Sequence, residues 1–260
     1  MNKIEVAVID QHIDPGSFMV FLAKVTQRSH NITSMSDLKE LLKQHASFST
    51  ISTIAALPHG TIKRFTPITI AIVGASRRFL AQARTHQVGF NYVSGSLQYS
   101  NYSGKAQFVV PYPILELSTN GCNLNGHDPV DFYLNACKQS MANYSLIASE
   151  LDNDTAGYVA PQGLRNVLIM QGNHQAWEHF IKLRGCNRNT QETQYVTMRI
   201  WEELLKTQDG PDMFKWVGPE CLYGICREGK MSCGNPITLK DNGTPIPTQV
   251  IKRQWPLLVK

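Results

Sequence analysis

Three separated runs of this chain hold the residue types that could do chemistry. One joins Ala156-Gly157-Tyr158-Val159-Ala160-Pro161 to Asn173, His179-Phe180 and Leu183-Arg184. Another holds Gln82, Thr85-His86-Gln87, Asn91 and Ser96-Leu97-Gln98-Tyr99-Ser100, and the third is the short Ala23-Lys24-Val25-Thr26. An amide such as Gln82 and a hydroxyl such as Ser96 can donate to a phosphate or a base edge. A fixed guanidinium such as Arg184 can stabilise negative charge that develops during a reaction. Each also has an ordinary reading. Arg184 precedes Gly185, where a helix C-terminal arginine answers the dipole. Gln82 suits a solvent-facing helix position, and a lone helical histidine is more often packed or at the surface. Cys221, Cys226 and Cys233 form C-x4-C-x6-C. Zinc needs four tightly spaced ligands, and no fourth Cys or His follows, so buried structural thiols and no metal are expected. Glu202-Glu203 reads as a solvated helix face.

The elements that must position these residues follow from local pattern. IEVAVID alternates apolar and polar residues as a half-buried strand does, and Asp14-Pro15-Gly16 ends it with turn chemistry. A helix is expected from about Ser17 to Gln27, and Ser36-Asp37 caps a second, DLKELLKQHASF, with Leu38, Leu41 and Leu42 on one face. Pro58-His59-Gly60 marks a loop. ITIAIVGA (68–75) is β-branched and uncharged, as a buried strand is, and SRRFLAQARTHQ reads as a helix entered at Ser76. A Gly/Ser/Asn/Tyr-rich loop (91–104) then leads to a strand, AQFVVP. Asp128 caps and Pro129 opens a long helix, DPVDFYLNACKQSMANYSLIASEL. Two more helical segments follow, LRNVLIMQGNHQAWEHFIKLRG and NTQETQYVTMRIWEELLKTQ.

Composition bounds the rest. With 260 residues, 42% hydrophobic and 17% charged, the chain can bury a sizeable core and is not disordered. Its formal charge of +5 suits an anionic ligand. No Lys/Arg run marks a nucleic-acid tail, so a small anionic metabolite is expected and not a polymer. No apolar run reaches the roughly 20 residues of a membrane span, and the first residues look like a strand, not a signal peptide. Six cysteines are too sparse for a disulfide scaffold, so reduced thiols and a cytoplasmic location are expected.

In order and spacing, the three runs resemble the flavin-dependent thymidylate synthases. That family's Ala-Arg-x-x-Leu-Pro, followed at a fixed interval by Asn-x-Arg-Ser-Leu-x-His-Phe-x-x-Leu-Arg, aligns with Ala156 to Arg184 without a gap. Its Arg-His-Arg signature, followed by Ser and then Gly-Arg-Tyr-Ser, survives only as His86, Asn91, Ser96 and Tyr99. Its N-terminal Ala-Arg-Val-Ser is met by Ala23 to Thr26. The tail GPECLYGICREGKMSCG is also similar to that of some members.

The resemblance implies one α/β (α+β) domain over residues 1–260, with a mixed or antiparallel sheet packed by long helices. A Cys/Gly/Pro-rich tail would begin at about 211. It implies C5 methylation of a pyrimidine deoxynucleoside monophosphate, dUMP to dTMP by default. FAD, NADPH and 5,10-methylenetetrahydrofolate would take part, in a homotetramer whose active sites lie at subunit contacts. By position, Arg184 would be catalytic, stabilising charge on the pyrimidine. Gln82, Ser96, Gln98, Tyr99 and Arg165 would bind substrate, and Thr26, His86, Gln87, Asn91, Asn173, His179 and Arg188 the cofactors. The departures matter equally. The signature's outer arginines are Thr85 and Gln87 here, and the two arginines that bind phosphate in the family are Gln98 and Gly157. Charge-assisted bonds of about 1.5–3 kcal/mol each are thereby missing. Either other cations replace them, with Arg84, Arg165 and Arg188 nearest in sequence, or the ligand differs. Two alternatives therefore stand beside dUMP: a dCMP methylase or hydroxymethylase, and a non-catalytic nucleotide-binding homologue.

Overall fold

The computed structural model describes residues 4–224, 226–238, 246–251 and 258–259. Strand β1 (Glu5–Gln11) runs into α1 (Pro15–Gln27), with Pro15 in the first turn. Helix α2 (Met35–Leu42) is capped two residues earlier than expected. Ser34 accepts from the Asp37 amide, and the Asp37 carboxylate reaches back to the Ser34 amide, a reciprocal capping box. A further helix, α3 (Phe48–Ala56), begins at Ser47, whose hydroxyl accepts from Thr50. Strand β2 (Pro67–Ser76) ends at the residue that caps α4 (Arg77–Ala83), as expected.

Two expectations fail next. The stretch read as a loop begins with a strand, β3 (Phe90–Ser94). Its Ser and Asn content hides a two-residue alternation in which Phe90 is buried and Tyr92 half-buried between exposed Asn91 and Val93. Strand β4 (Phe108–Val109) is only the middle of the strand expected there. Helix α5 (Tyr112–Thr119) was not anticipated, whereas α6 (Pro129–Glu150) matches, with the Asp128 carboxylate accepting from Val130 and Asp131. Short α7 (Asn153–Gly157) follows. The segment read as one helix is half strand: β5 (Arg165–Asn173) precedes α8 (His174–Arg184). Its apolar run fits either period, and pairing on both edges decides for the strand. Helix α9 (Gln191–Leu205) matches expectation. The tail does not begin as a loose segment, because α10 (Gly210–Phe214) puts Met213 and Phe214 into the core. The Asp209 carboxylate just before it accepts from the Gly16 amide at 2.8 Å. Helix α11 (Ile246–Val250) and strand β6 (Leu258–Val259), paired with β4, complete the described chain.

The main sheet has the order β1-β2-β5-β3, and every pairing in it is antiparallel. This meets the expected class of an antiparallel sheet packed by helices. Ile68, Ile70 and Ile72 of β2 and Leu168 and Met170 of β5 are buried. They form one cluster with Trp177 and Phe180 of α8 and Trp201 and Leu204 of α9. A second cluster gathers Leu134, Met141 and Tyr144 of α6 with Leu97, Phe108 and Leu164. Among the described residues, no helix is long and apolar enough to cross a membrane.

Phe90 ties the site's edge strand to this core. It pairs with Gly172, and its ring meets Trp177 at 4.8 Å and Phe180 at 5.8 Å, both edge-to-face. A Cβ on Gly172 would fall 2.3 Å from that ring. Gly172→Ala should therefore cost about 1–3 kcal/mol, the range for overpacking a filled core, read from urea unfolding. Unchanged stability would mean that the Phe90 ring can leave its slot.

Candidate active site

The residues singled out from sequence converge where α8 meets the turn between α4 and β3. Arg184 is at the centre. Its Nε donates to His86 Nε2 at 2.8 Å, Nη2 to Thr85 Oγ1 at 2.8 Å and to the Gln82 carbonyl at 3.3 Å, and Nη1 to Asn189 Oδ1 at 3.1 Å. Among the described residues it has no carboxylate partner. The guanidinium is thus fixed by neutral acceptors, and one of its five N–H groups is not committed to them.

Because arginine can only donate, His86 Nε2 must accept, which places the imidazole proton on Nδ1. Electrostatics agrees. Burial lowers His86 to about 4, with Arg184 and His179 adding to the effect. The ring packs edge-on to Phe180 at 4.9 Å and to His179 at 5.7 Å. Tyr92 on β3 donates its hydroxyl to the carbonyls of Ala83 and His86, and burial raises it to about 12, so it stays protonated. The turn 83–86 is pinned from two sides. Gln82 is neither solvent-facing nor open to a ligand through its oxygen. Its Oε1 accepts from Thr190 and Thr193 at the start of α9. The start of α4 is anchored likewise, since Ser76 donates through its amide (2.7 Å) and hydroxyl (2.5 Å) to the buried Glu192 carboxylate.

Beside this centre lies a group of cations. Arg84 donates to Ser94 Oγ, and Arg165 Nη1 donates to Gln107 Oε1. Arg77, which sequence reasoning missed, is near enough to Arg84 to be lowered by it in addition to burial. Burial raises the Tyr102 hydroxyl, while Arg77 and Arg165 both pull it back down. None of the three arginines has an ion-pair partner among the described residues, and Arg165 Nε is buried without any hydrogen-bond partner. Ser96 belongs to the adjoining turn, where its hydroxyl accepts from the Gln98 amide at 3.1 Å. Gln98 and Tyr99 are exposed, Tyr99 at 83%. Gly157 lies against Leu97, so both positions that lost an arginine border the same turn. Only proximity in the fold could have revealed Arg77.

On the other side, a cleft of 410 Å³ is lined by Arg64, Gln87, Asn91, Gln171 and Asn173 among others. Asn173 is not within a helix, as the sequence reading had it. It caps α8, accepting from the Ala176 amide at 2.9 Å, so the positive end of an eleven-residue helix borders the cleft. Two expected cofactor residues lie apart. Thr26 is exposed on α1, its hydroxyl donating to the Ala23 carbonyl within that helix. Arg188 donates to the Met231 carbonyl in the tail, and both it and His179 line a different cavity. Within one chain, Arg188 is therefore apart from Arg84 and Arg165, because the turn after α8 carries it toward the tail.

The geometry defines a preorganised arginine beside a group of cations, and comparison with known proteins places it. Residues 7–208 match the family described as thymidylate synthase complementing protein. The chain is 24% identical over 239 residues to the flavin-dependent thymidylate synthase of Geobacter sulfurreducens, covering 91% of this chain and 97% of that one. It is 26% identical over 189 residues to the enzyme of Clostridium tetani, covering 66% and 71%. The fold is similar to that of PolB, a UMP/dUMP methylase from Streptomyces cacaoi, with a TM-score of 0.62 at 18% identity over 84% of this chain and 98% of that one. It is also similar to thymidylate synthase X from Helicobacter pylori, with a TM-score of 0.57 at 14% identity over 82% and 97%. The chain belongs to the flavin-dependent thymidylate synthase family, and its class is methyltransferase.

Two buried histidines give the site a pH signature. His174 is lowered to about 3 by burial and Lys63, and its Nε2 donates to the Met213 carbonyl at 2.8 Å. With His86 at about 4, both folded values lie below the usual histidine value. The unfolded chain takes up these protons near pH 6.5 while the folded chain does not. Stability from this source is complete above that pH and falls as pH drops toward 4. The urea midpoint should fall between about pH 7.5 and pH 5, and His86→Gln should flatten part of the slope. Equal slopes in the two proteins would show that His86 takes its proton normally.

Proposed function

We propose that the protein methylates C5 of dUMP, using FAD, NADPH and 5,10-methylenetetrahydrofolate. One observation carries the nucleotide assignment: among the described residues, Arg77, Arg84 and Arg165 gather without acidic partners, and one buried Arg165 donor is unpaired. Positive charge of this kind, flanked by the Ser94–Ser96 turn, suits a phosphate. It supplies the cations whose loss at Gln98 and Gly157 raised the alternative of a changed ligand. PolB, similar in fold, is described as a UMP/dUMP methylase.

The chain also fits a flavin. The cleft at Gln87, Asn91, Gln171 and Asn173 offers amide donors and acceptors, Arg64 offers a cation, and the α8 N-terminus adds a positive end. Asn91, Asn173 and Gln87 would hold the flavin there, with His86 and His179 beside it. Bound reduced flavin supplies the hydride, and methylenetetrahydrofolate the carbon. The residues of the chain do the rest. The arginine trio binds and orients the phosphate. Arg184, locked by four acceptors, presents its remaining N–H where charge builds on the pyrimidine as C5 becomes nucleophilic, at no cost in reorganisation. A permanently charged guanidinium favours the anionic uracil ring over cytosine, whose activation prefers protonation at N3. Neutral His86 holds Arg184 in place and adds no competing charge. A homotetramer would close the open site, and the exposed Val88, Tyr99 and Tyr158 near the matched elements suit burial against partner chains. Light scattering should report four chains, and a monomer at working concentration would remove that reading.

The direct test is to incubate the protein with FAD, NADPH, methylenetetrahydrofolate and either dUMP or dCMP, following products by mass. dTMP is expected. Exclusive turnover of dCMP would overturn the acceptor, and turnover of neither, with flavin bound, would support a binding homologue. Alanine at Arg77, Arg84 or Arg165 should raise the dUMP KM about tenfold or more, matching about 1.5–3 kcal/mol per charge-assisted bond, with flavin binding unchanged. Arg184→Lys keeps the charge but loses the fork, and should lower kcat about a hundredfold. An unchanged kcat would remove Arg184 from the mechanism.

A further inference from the structure

The sequence reading sought a fourth zinc ligand only downstream of Cys221, Cys226 and Cys233. The fold supplies one from upstream. Cys186, in the turn between α8 and α9, lines the same 380 Å³ cavity as all three. The thiols are not the buried structural groups expected: Cys186 and Cys221 are half-buried, Cys226 and Cys233 exposed, and all are unpaired. The two remaining cysteines, Cys122 and Cys137, lie outside this cavity.

We propose that Cys186, Cys221, Cys226 and Cys233 form a structural zinc(II) site that fastens the C-terminal segment onto α8. Four thiols lose their protons to solvent as four thiolates bind one Zn²⁺, giving a local charge of −2. A tetrahedral all-sulfur set is the zinc preference for a closed structural site. Lys182, Arg188 and Arg227 line the cavity together with Glu220 and Glu228, so the cations offset part of that charge. Burial raises the Cys186 thiol, with Cys221, Cys233 and Glu228 close enough to add to the effect.

Among the described residues, no three potential ligands are already gathered in metal-binding geometry, so the ion must draw the sulfurs in. The backbone permits this. Cys221 sits in a single 3-10 turn, and the turn at Gly229–Met231 separates Cys226 from Cys233. Gly224, Gly229 and Gly234, close after the three cysteines, all have positive φ, which lets the chain turn sharply around a ligand. The Cys233 thiol accepts from the Asn235 amide and donates to the Asn235 carbonyl, both at 3.4 Å, and the donated proton is the one zinc would displace. The segment also needs a fastener. Leu222 and Ile237 pack against the core, but neither 3-10 turn buries a residue, and the polar ties to α8 and the turn after it include Lys182–Glu220, Asn187 to the Asn235 carbonyl and Arg188 to the Met231 carbonyl.

The test is elemental analysis of the full chain, purified under reducing conditions and dialysed without chelator. About one zinc per chain is expected, released when a mercurial titrates the thiols, with a lowered Tm on release. Cys186→Ser and Cys221→Ser should each cut zinc content roughly tenfold, while Cys122→Ser keeps it. Should the serine variants fail to fold, the wild-type stoichiometry and mercurial release decide alone. A wild-type protein without zinc, iron in its place, disulfides among the four cysteines, or full zinc in Cys186→Ser would each overturn the proposal. None of these readouts depends on methylation activity.

Discussion

A guanidinium can donate hydrogen bonds but never accept one, and much of the site follows from that restriction at Arg184. His86 must present a lone pair, so it is neutral and its proton is on Nδ1. The Gln82 carbonyl and Thr85 hydroxyl must face the same way, so α4 has to end where it does. Tyr92 then fixes the turn from β3, and Phe90, two residues earlier on that strand, anchors it to Trp177 and Phe180. The cation's geometry is thereby connected to the sheet and to α8 through rigid parts.

Charge is distributed unevenly around this centre. Elsewhere, cations such as Lys63, Lys182 and Arg199 are matched by carboxylates. Among the described residues, Arg77, Arg84, Arg165 and Arg184 have no carboxylate partner, and the last three donate to neutral groups: hydroxyls, a carbonyl, side-chain amides and the His86 ring. Holding guanidinium groups together without anions is unfavourable in the free protein, and an anionic ligand relieves it. The same contrast separates Arg188, whose charge lies over the tail, from the three that lie beside the Ser94–Ser96 turn.

How much was legible in the sequence depended on whether a signal was local. The Asn173, His179 and Arg184 spacing survives because a cap and about three turns of one helix fix it, and it identified the family. The caps at Ser76 and Asp128 were legible because a short polar side chain before a helix acts on its own backbone. Strand β5 was misread because its apolar run suits either period until its neighbours are known. Strand β3 was hidden by Asn91 and Ser94 within it and by the Gly/Ser/Asn-rich stretch that follows. Arg77 and Cys186 were missed for one reason: each joins its group through contacts between segments far apart in the chain. Arg77 directly follows Ser76, which pairs with Arg165 across β2 and β5, and Cys186 meets the tail across the end of α8.

The strand order has a consequence for how the chain assembles. β5 lies between β2 and β3, yet it is the last of the four to be synthesised, after residues 95–164 have emerged. Until then β2 can pair only with β1, and its other edge, with Ile68, Ile70 and Ile72 among its residues, has no partner strand. Such an edge is a template for pairing with other chains. The Gly16–Asp209 bond closes later still. Sheet completion therefore waits for β5, which ends at Asn173, and is a high-contact-order event, slow compared with formation of α6 or α9. Nascent chains depend on reaching β5 before their open edge finds a neighbour.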